Sequence, residues 1–244
     1  VNLDGVADLF PEDPEPEYVD INAANMAVVT FQATNHIAVV NLVNGRVVKD
    51  FPAGAVDLTA IDTIENDLIE LNSSLTAVPR EPDGVTWISA SKFVTADEGD
   101  LFGGSRGFTV YNTSGRVKYT SGNEFEHIVT RLGHYPEDRS ENKGSEPEAV
   151  EYGRFGGHDY LFVGSERGSF VAVYELDGSE PDLPGDGQDV GGGVALEHRR
   201  HVPERRDAEL RRAPPGDETV HQQERPDQHA AGRLAAAPGD LRAQ

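Results

Sequence analysis

The chain has 244 residues, 43 of them acidic and 21 basic, for a formal charge of −22, and it contains no cysteine. So acidic a surface repels the phosphate backbone that supplies most nucleic-acid affinity, and no disulfide or thiolate chemistry is open to it. No run is long and apolar enough to span a bilayer, and no phosphate-cradling glycine loop calls for a nucleotide cofactor. Lysine stands only at 49, 92, 118 and 143. Scarce lysine in so acidic a chain points to cations as ligands, or to a halophile's high-salt setting where charges are screened over about 3 Å at 1 M.

Residues 1–16 are a proline- and acid-rich entry. The corner Glu15-Pro16-Glu17-Tyr18-Val19 then opens four strand-length pieces, Glu17–Ile21, Met26–Phe31, Ile37–Leu42 and Arg46–Phe51, with Asn44-Gly45 as a hairpin turn. Residues 55–80 carry Leu58, Ile61, Ile64, Leu68, Ile69 and Leu71 at near-helical spacing, which fits a short helix or an irregular strand pair. The corner returns as Glu81-Pro82-Asp83-Gly84-Val85, followed by Gly84–Ile88, Lys92–Ala96, Phe108–Asn112 and Arg116–Tyr119. A polar insertion over 122–145 precedes the third copy, Glu146-Pro147-Glu148-Ala149-Val150, with Ala149–Tyr152, Tyr160–Gly164 and Phe170–Leu176 but no recognisable fourth strand.

From Gly178 to Gln244 the chemistry changes. Phe, Tyr, Trp, Ile, Met, Asn and Lys vanish, and Arg, Ala, Pro and Gly dominate. Such a segment cannot bury enough apolar surface to offset its ordering entropy. It reads as a disordered low-complexity tail, either a genuine Arg-rich arm or, the favoured reading, a GC-rich gene translated out of frame.

A repeat fixes the architecture before local detail does. The expected fold is all-β: a partial β-propeller of about three four-stranded blades over 1–177 (17–54, 81–121 and 146–177), with the tail at 178–244. Several middle strands are apolar on both faces, as strands sandwiched between like sheets must be. An immunoglobulin-like sandwich is the rival and would alternate more cleanly. Three blades are too few to close a ring, so the chain reads as a fragment of a larger propeller.

The corners also carry the candidate chemistry. Proline suits the first position of a strand, and in a propeller the first strand of each blade lines the central channel. Glu15, Glu17, Glu81, Asp83, Glu146 and Glu148 would then gather near one mouth and offer oxygens to Ca²⁺ or another divalent cation. The plainer alternative is that each caps a backbone N–H or faces water. Asp97-Glu98-Gly99-Asp100, just past a strand, adds three acids around a glycine, without the spacing of an EF-hand loop. Arg106 and Arg167 recur in similar turns and offer anion-binding forks, or pair with neighbouring acids. Gly103-Gly104-Ser105-Arg106-Gly107 satisfies the nucleophile-elbow pattern, but a strand follows where that motif needs a helix. No catalytic set emerges.

Together these motifs, with Leu3-Asp4-Gly5-Val6, Asn35-His36-Ile37-Ala38-Val39-Val40-Asn41-Leu42, Val94-Thr95-Ala96-Asp97-Glu98-Gly99-Asp100 and Phe162-Val163-Gly164-Ser165-Glu166-Arg167-Gly168, resemble the choice-of-anchor I family of secreted and surface-attached proteins over about residues 3–177. The resemblance implies an exported β-propeller held outside the cell by one of several anchors. Its relatives are often labelled alkaline phosphatase, and the family is similar to mesenchyme-specific cell-surface glycoproteins. The expected function is an extracellular or cell-surface binding or structural module with an unknown extracellular ligand. The alternative is a metal-dependent phosphoesterase.

Overall fold

Strands form where β-branched and aromatic residues cluster. β1 (Val19–Ile21), β2 (Met26–Phe31), β3 (His36–Asn41) and β4 (Arg46–Pro52) make one antiparallel sheet in chain order. β5 (Ala55–Ile61) and β6 (Ser73–Pro79) pair as a separate hairpin. β7 (Val85–Trp87), β8 (Lys92–Asp97), β9 (Gly107–Asn112) and β10 (Val117–Thr120) form the second four-stranded sheet. After α1 (Glu124–Arg131) and a 3-10 turn (Glu137–Arg139) come β11 (Pro147–Phe155), β12 (His158–Ser165) and β13 (Phe170–Asp177). The structure is a computed structural model. It describes residues 1–177 and, beyond them, the backbone of β14 (Glu180–Asp182) and β15 (Leu196–Glu197), both paired with β13.

These up-and-down sheets are successive blades of a β-propeller, an all-β architecture. Two short strands complete the third blade where the sequence offers no fourth strand. Apart from them, the tail read at 178–244, with its disorder and its frame, lies outside the described residues. The insertion over 55–80 resolves as a strand pair: Leu58 and Ile61 are buried with Val78, whereas Ile64, Leu68 and Ile69 are exposed, so their spacing marks no helix face. The first hairpin departs in detail from the simple Asn-Gly turn. Gly45 alone takes positive φ (66°), Asn41 and Asn44 accept the amides of Val43 and Arg46, and the register slips between Val39 and Val40. The second blade repeats this with Gly115 (φ 84°), Asn112 and a slip between Val117 and Tyr119. Both are turns closing on a bulge.

Blades pack face to face. Val28, Ile37, Val39 and Phe51 of the first meet Val85, Trp87, Phe93 and Tyr111 of the second. Val94, Phe108 and Val110 on the other face of the second meet Val150, Leu161, Val163 and Tyr174 of the third, with Phe125 and Val129 of α1 closing the rim. Inner strands are also joined by hydrogen bonds. Trp87 donates its amide to the Asp20 carboxylate (2.7 Å) and its indole N–H to the Asp20 carbonyl (3.1 Å). The Gly84 amide donates to the Glu148 carbonyl at 3.0 Å.

Gly84 is therefore set by close approach. A Cβ there would lie 2.5 Å from the Glu148 carbonyl oxygen and 3.1 Å from the Val150 nitrogen, both backbone atoms. Gly84→Ala is expected to destabilise the fold by about 1–3 kcal/mol, read as a lowered midpoint in urea with β circular dichroism retained before the transition.

Candidate metal centre

Each blade is entered through a glutamate in the left-handed region: φ is 42° at Glu15, 45° at Glu81 and 47° at Glu146. That conformation is uncommon outside glycine, and the proline that follows disfavours the right-handed alternative. Glu15 is exposed, whereas Glu81 and Glu146 are fully buried. The Glu81 carboxylate accepts the amides of Asp100 (2.7 Å) and Phe102 (2.8 Å), and its carbonyl accepts the Gly99 amide (3.1 Å). Burial raises its pKa while those amides pull it down. Glu146 meets Arg139 Nε at 2.5 Å and Lys143 Nζ and Arg167 Nε each at 3.4 Å.

The second acid of each corner, Glu17, Asp83 or Glu148, starts the inner strand. Burial, then the neighbouring Glu98 carboxylate, then Glu17 and Glu148 push the Asp83 carboxyl up to about 7. Glu148 is raised as well, by burial and by Glu166 and Glu98, with Arg167 opposing. Acids from all three blades thus act on one another electrostatically. Glu98 holds Lys143 Nζ at 2.7 Å and Gln32 Nε2 at 2.8 Å. By register Gln32, Glu98 and Glu166 share one place, just past the second strand of each blade. One carboxylate oxygen each from Glu98, Glu146 and Glu166 lies within 4.8 Å of the others.

Of the residues singled out from sequence, Glu98 and Glu146 share a close carboxylate cluster with Glu166, and Asp83 feels the charges of Glu98, Glu17 and Glu148. Glu15 and Asp100 are exposed. Asp97 is fully buried and accepts from Thr95 (2.7 Å), Ser105 (3.0 Å) and Thr109 (2.5 Å), with Arg80 at 3.9 Å. Ser105 thus spends its hydroxyl inside the fold. Arg106 is buried, donates to the carbonyls of Asp62, Ser140 and Asn142, and lies 3.6 Å from Glu126. Its structural counterparts, each left-handed and just before a third strand, are Asn35 and Ser169, while Arg167 sits two residues earlier in its turn, exposed beside Glu146 and Glu166. Sequence reasoning missed Glu166, Arg139 and Lys143. Only the first carries a repeat signal, its place opposite Glu98.

Burial, partly offset by Arg80 and the three hydroxyls, raises the Asp97 pKa from 3.8 to about 6. A raised carboxyl pKa means that the folded state holds the proton longer than the unfolded chain. The stability it contributes is present below 3.8 and lost as pH rises to about 6. Asp97→Asn should remove this slope, so that urea unfolding of wild type loses ground against the variant across that window. Arg106 and Glu126 form a buried pair in which Glu126 is itself raised, first by burial. Glu126→Ala leaves the guanidinium uncompensated and should destabilise by about 3–5 kcal/mol in the same measurement.

Among solved structures, the chain is similar to virginiamycin B lyase from Staphylococcus aureus, at 14% identity and TM-score 0.41, over 71% of this chain and 43% of that one. It is also similar to Hsv2 from Kluyveromyces lactis, at 9% identity and TM-score 0.24, over 69% and 50%. The chain thus spans half or less of the length of these structures. A comparison with curated proteins finds no match. The choice-of-anchor I domain model matches residues 2–103 and 101–179, and on that match the chain belongs to the choice-of-anchor I domain family.

Proposed function

We propose that this chain is a surface-held propeller module that binds a divalent cation of the Ca²⁺ type at the mouth where its corners meet. The observation that carries the reading is that one carboxylate oxygen each from Glu98, Glu146 and Glu166 lies within 4.8 Å of the others, with Asp83 raised by Glu98, Glu17 and Glu148 beside its burial. Hard cations take six to eight oxygens, and these carboxylates together with the Gly99 carbonyl, which already accepts Lys143 Nζ at 3.0 Å, are donors of that kind. Arg139 and Arg167 stand on the Glu146 side, whereas Lys143 bridges Glu98 at 2.7 Å and Glu146 at 3.4 Å. Acid therefore remains in excess around Asp83. A proton takes up part of that excess at neutral pH, and a divalent cation does so more fully. The surface location rests on the family, whose members are exported and anchored. Among the described residues no helix is long and apolar enough to cross a membrane.

Calorimetric titration of Ca²⁺ at low ionic strength tests the site. Saturable binding is expected, weakened about tenfold or more by Asp83→Asn or Glu98→Gln, because affinity follows the number of charged ligands. Binding should also release protons. Asp83 is raised from 3.8 to about 7, so it holds a proton through pH 6 that the cation must expel. The observed enthalpy should accordingly depend on buffer ionisation at pH 6 and less so at pH 8. Absence of saturable heat in the wild type would remove the proposal.

A further inference from the structure

We infer that a groove over the second blade binds a short extended peptide of a partner protein, one that carries arginine beside apolar side chains. The groove holds about 650 Å³, a size typical of ligand-binding clefts. Its walls are β6, residues 100–104 of the loop between β8 and β9, and the segment from Arg139 to Lys143. All three belong to the second blade and to the insertions on either side of it.

Leu101 and Phe102 at the groove are 52% and 59% exposed, on a backbone that is fixed. The amides of Asp100 and Phe102 donate to the buried Glu81 carboxylate, and the Gly99 amide donates to the Glu81 carbonyl. Gly104 takes a φ of 68°, and a Cβ there would collide with the Glu98 carbonyl. Turning Leu101 and Phe102 inward would break these bonds and leave a buried acid unpaired. Adjacent large apolar side chains held in water by a braced loop beside a groove mark a contact surface.

On β6, five consecutive residues, Leu75–Pro79, line the groove. Residues on one face of a strand alternate, so β6 turns its edge to the groove, and among the described residues β5 alone pairs with it. An extended chain fits along such an edge. Its ladder is kept short by Pro79 and by the bulge opposite Asp57, whose carboxylate accepts the Ala77 amide at 2.8 Å. Side chains therefore select the occupant.

Charge sets the sign of that selection. Lys143 lies 2.7 Å from Glu98 and 3.4 Å from Glu146, and Arg139 meets Glu146 at 2.5 Å, so both cations of the groove are matched by acids. Asp100 and Glu141 are exposed and form no ion pair among the described residues. The unmatched charge is negative, which favours a basic group. Arginine suits it best, because its fork fits a carboxylate and its plane stacks on an aromatic face such as that of Phe102. Apolar neighbours of that arginine cover Leu101.

The test is fluorescence anisotropy of a labelled, end-capped hexapeptide of alternating leucine and arginine, titrated with the 244-residue chain at low ionic strength. Chelator is present throughout, so the outcome does not depend on the cation proposed above. Saturable binding is expected, tighter than for the leucine–lysine hexapeptide and absent for leucine–glutamate. Phe102→Ala, and Asp100→Asn with Glu141→Gln, should each weaken it about tenfold or more with unchanged circular dichroism, since every amide that holds the loop is kept. Neutralising two exposed acids of the entry segment, Glu12→Gln with Asp13→Asn, should leave the affinity as it was. No saturation up to about 1 mM, equal binding of the acidic peptide, indifference to Phe102→Ala, or an equal loss in the entry-segment variant would each overturn the inference.

Discussion

Contact between the inner strands of neighbouring blades is the constraint on which the structure depends. β1 and β7 have only three residues each, so a one-residue shift would lose most of their pairing. Their positions are pinned from outside the sheet. Asp20 takes both N–H groups of Trp87, Thr30 donates its hydroxyl to the Asp83 carbonyl at 2.7 Å, and Asn35 accepts the Glu81 amide at 2.9 Å. Each bond runs from one blade to the corner or inner strand of the next. The left-handed glutamate and its proline turn the chain into that contact, and a residue held in this region costs about 1–2 kcal/mol. Three copies of one uncommon conformation persist because the surrounding bonds over-determine it.

The same packing explains why so acidic a chain buries carboxylates at all. Glu81 lies under a loop whose amides it collects, Asp97 under three hydroxyls and an arginine, and Glu126 beside Arg106 with the Ser145 amide at 2.7 Å. Burial raises all three carboxyls, and in each case hydrogen bonds or a cation oppose it. A buried pair is weak evidence for net stability, but losing one partner is severe. These groups tie the insertions to the blades: Arg106 joins the carbonyl of Asp62 past β5 to those of Ser140 and Asn142 before the third corner.

Much of this was legible in the sequence because the repeat is a physical pattern. Strand pieces read from Val, Ile, Phe and Tyr runs fall within a few residues of β1–β4 and β7–β13, and the recurring corner located the inner strands. What escaped has specific causes. α1 has eight residues, only Phe125, Ile128 and Val129 as buried apolar side chains, a buried acid at 126 and no side-chain cap, so periodicity and capping were both too weak to announce it. Residues 55–80 left a short helix open beside the irregular strand pair that forms, because Ile64, Leu68 and Ile69 completed a spacing that the fold leaves in solvent. At the corners, sequence placed the acids near one another but left open which carboxylates turn inward. That is decided by amides such as those of Asp100 and Phe102, which exist as donors only once the loop has closed over Glu81.

The distribution of charge at the mouth follows from the same repeat. One position after each second strand carries Gln32, Glu98 and Glu166 in turn. Between the first and second blades it is neutral, and its amide donates to Glu98. Between the second and third it is an acid, and there the chain inserts residues 122–145, which deliver Lys143 to Glu98 and both Lys143 and Arg139 to Glu146. At the third blade it is again an acid, with Arg167 next in sequence and 3.4 Å away. Cations thus accompany each acid that the repeat places at this position, whereas the second corner acids Glu17, Asp83 and Glu148 are placed by backbone geometry alone. Asp83 is lifted first by burial, then by Glu98, and then by Glu17 and Glu148, the second acids of the neighbouring corners, which no cation in this group is placed to offset at Asp83 itself.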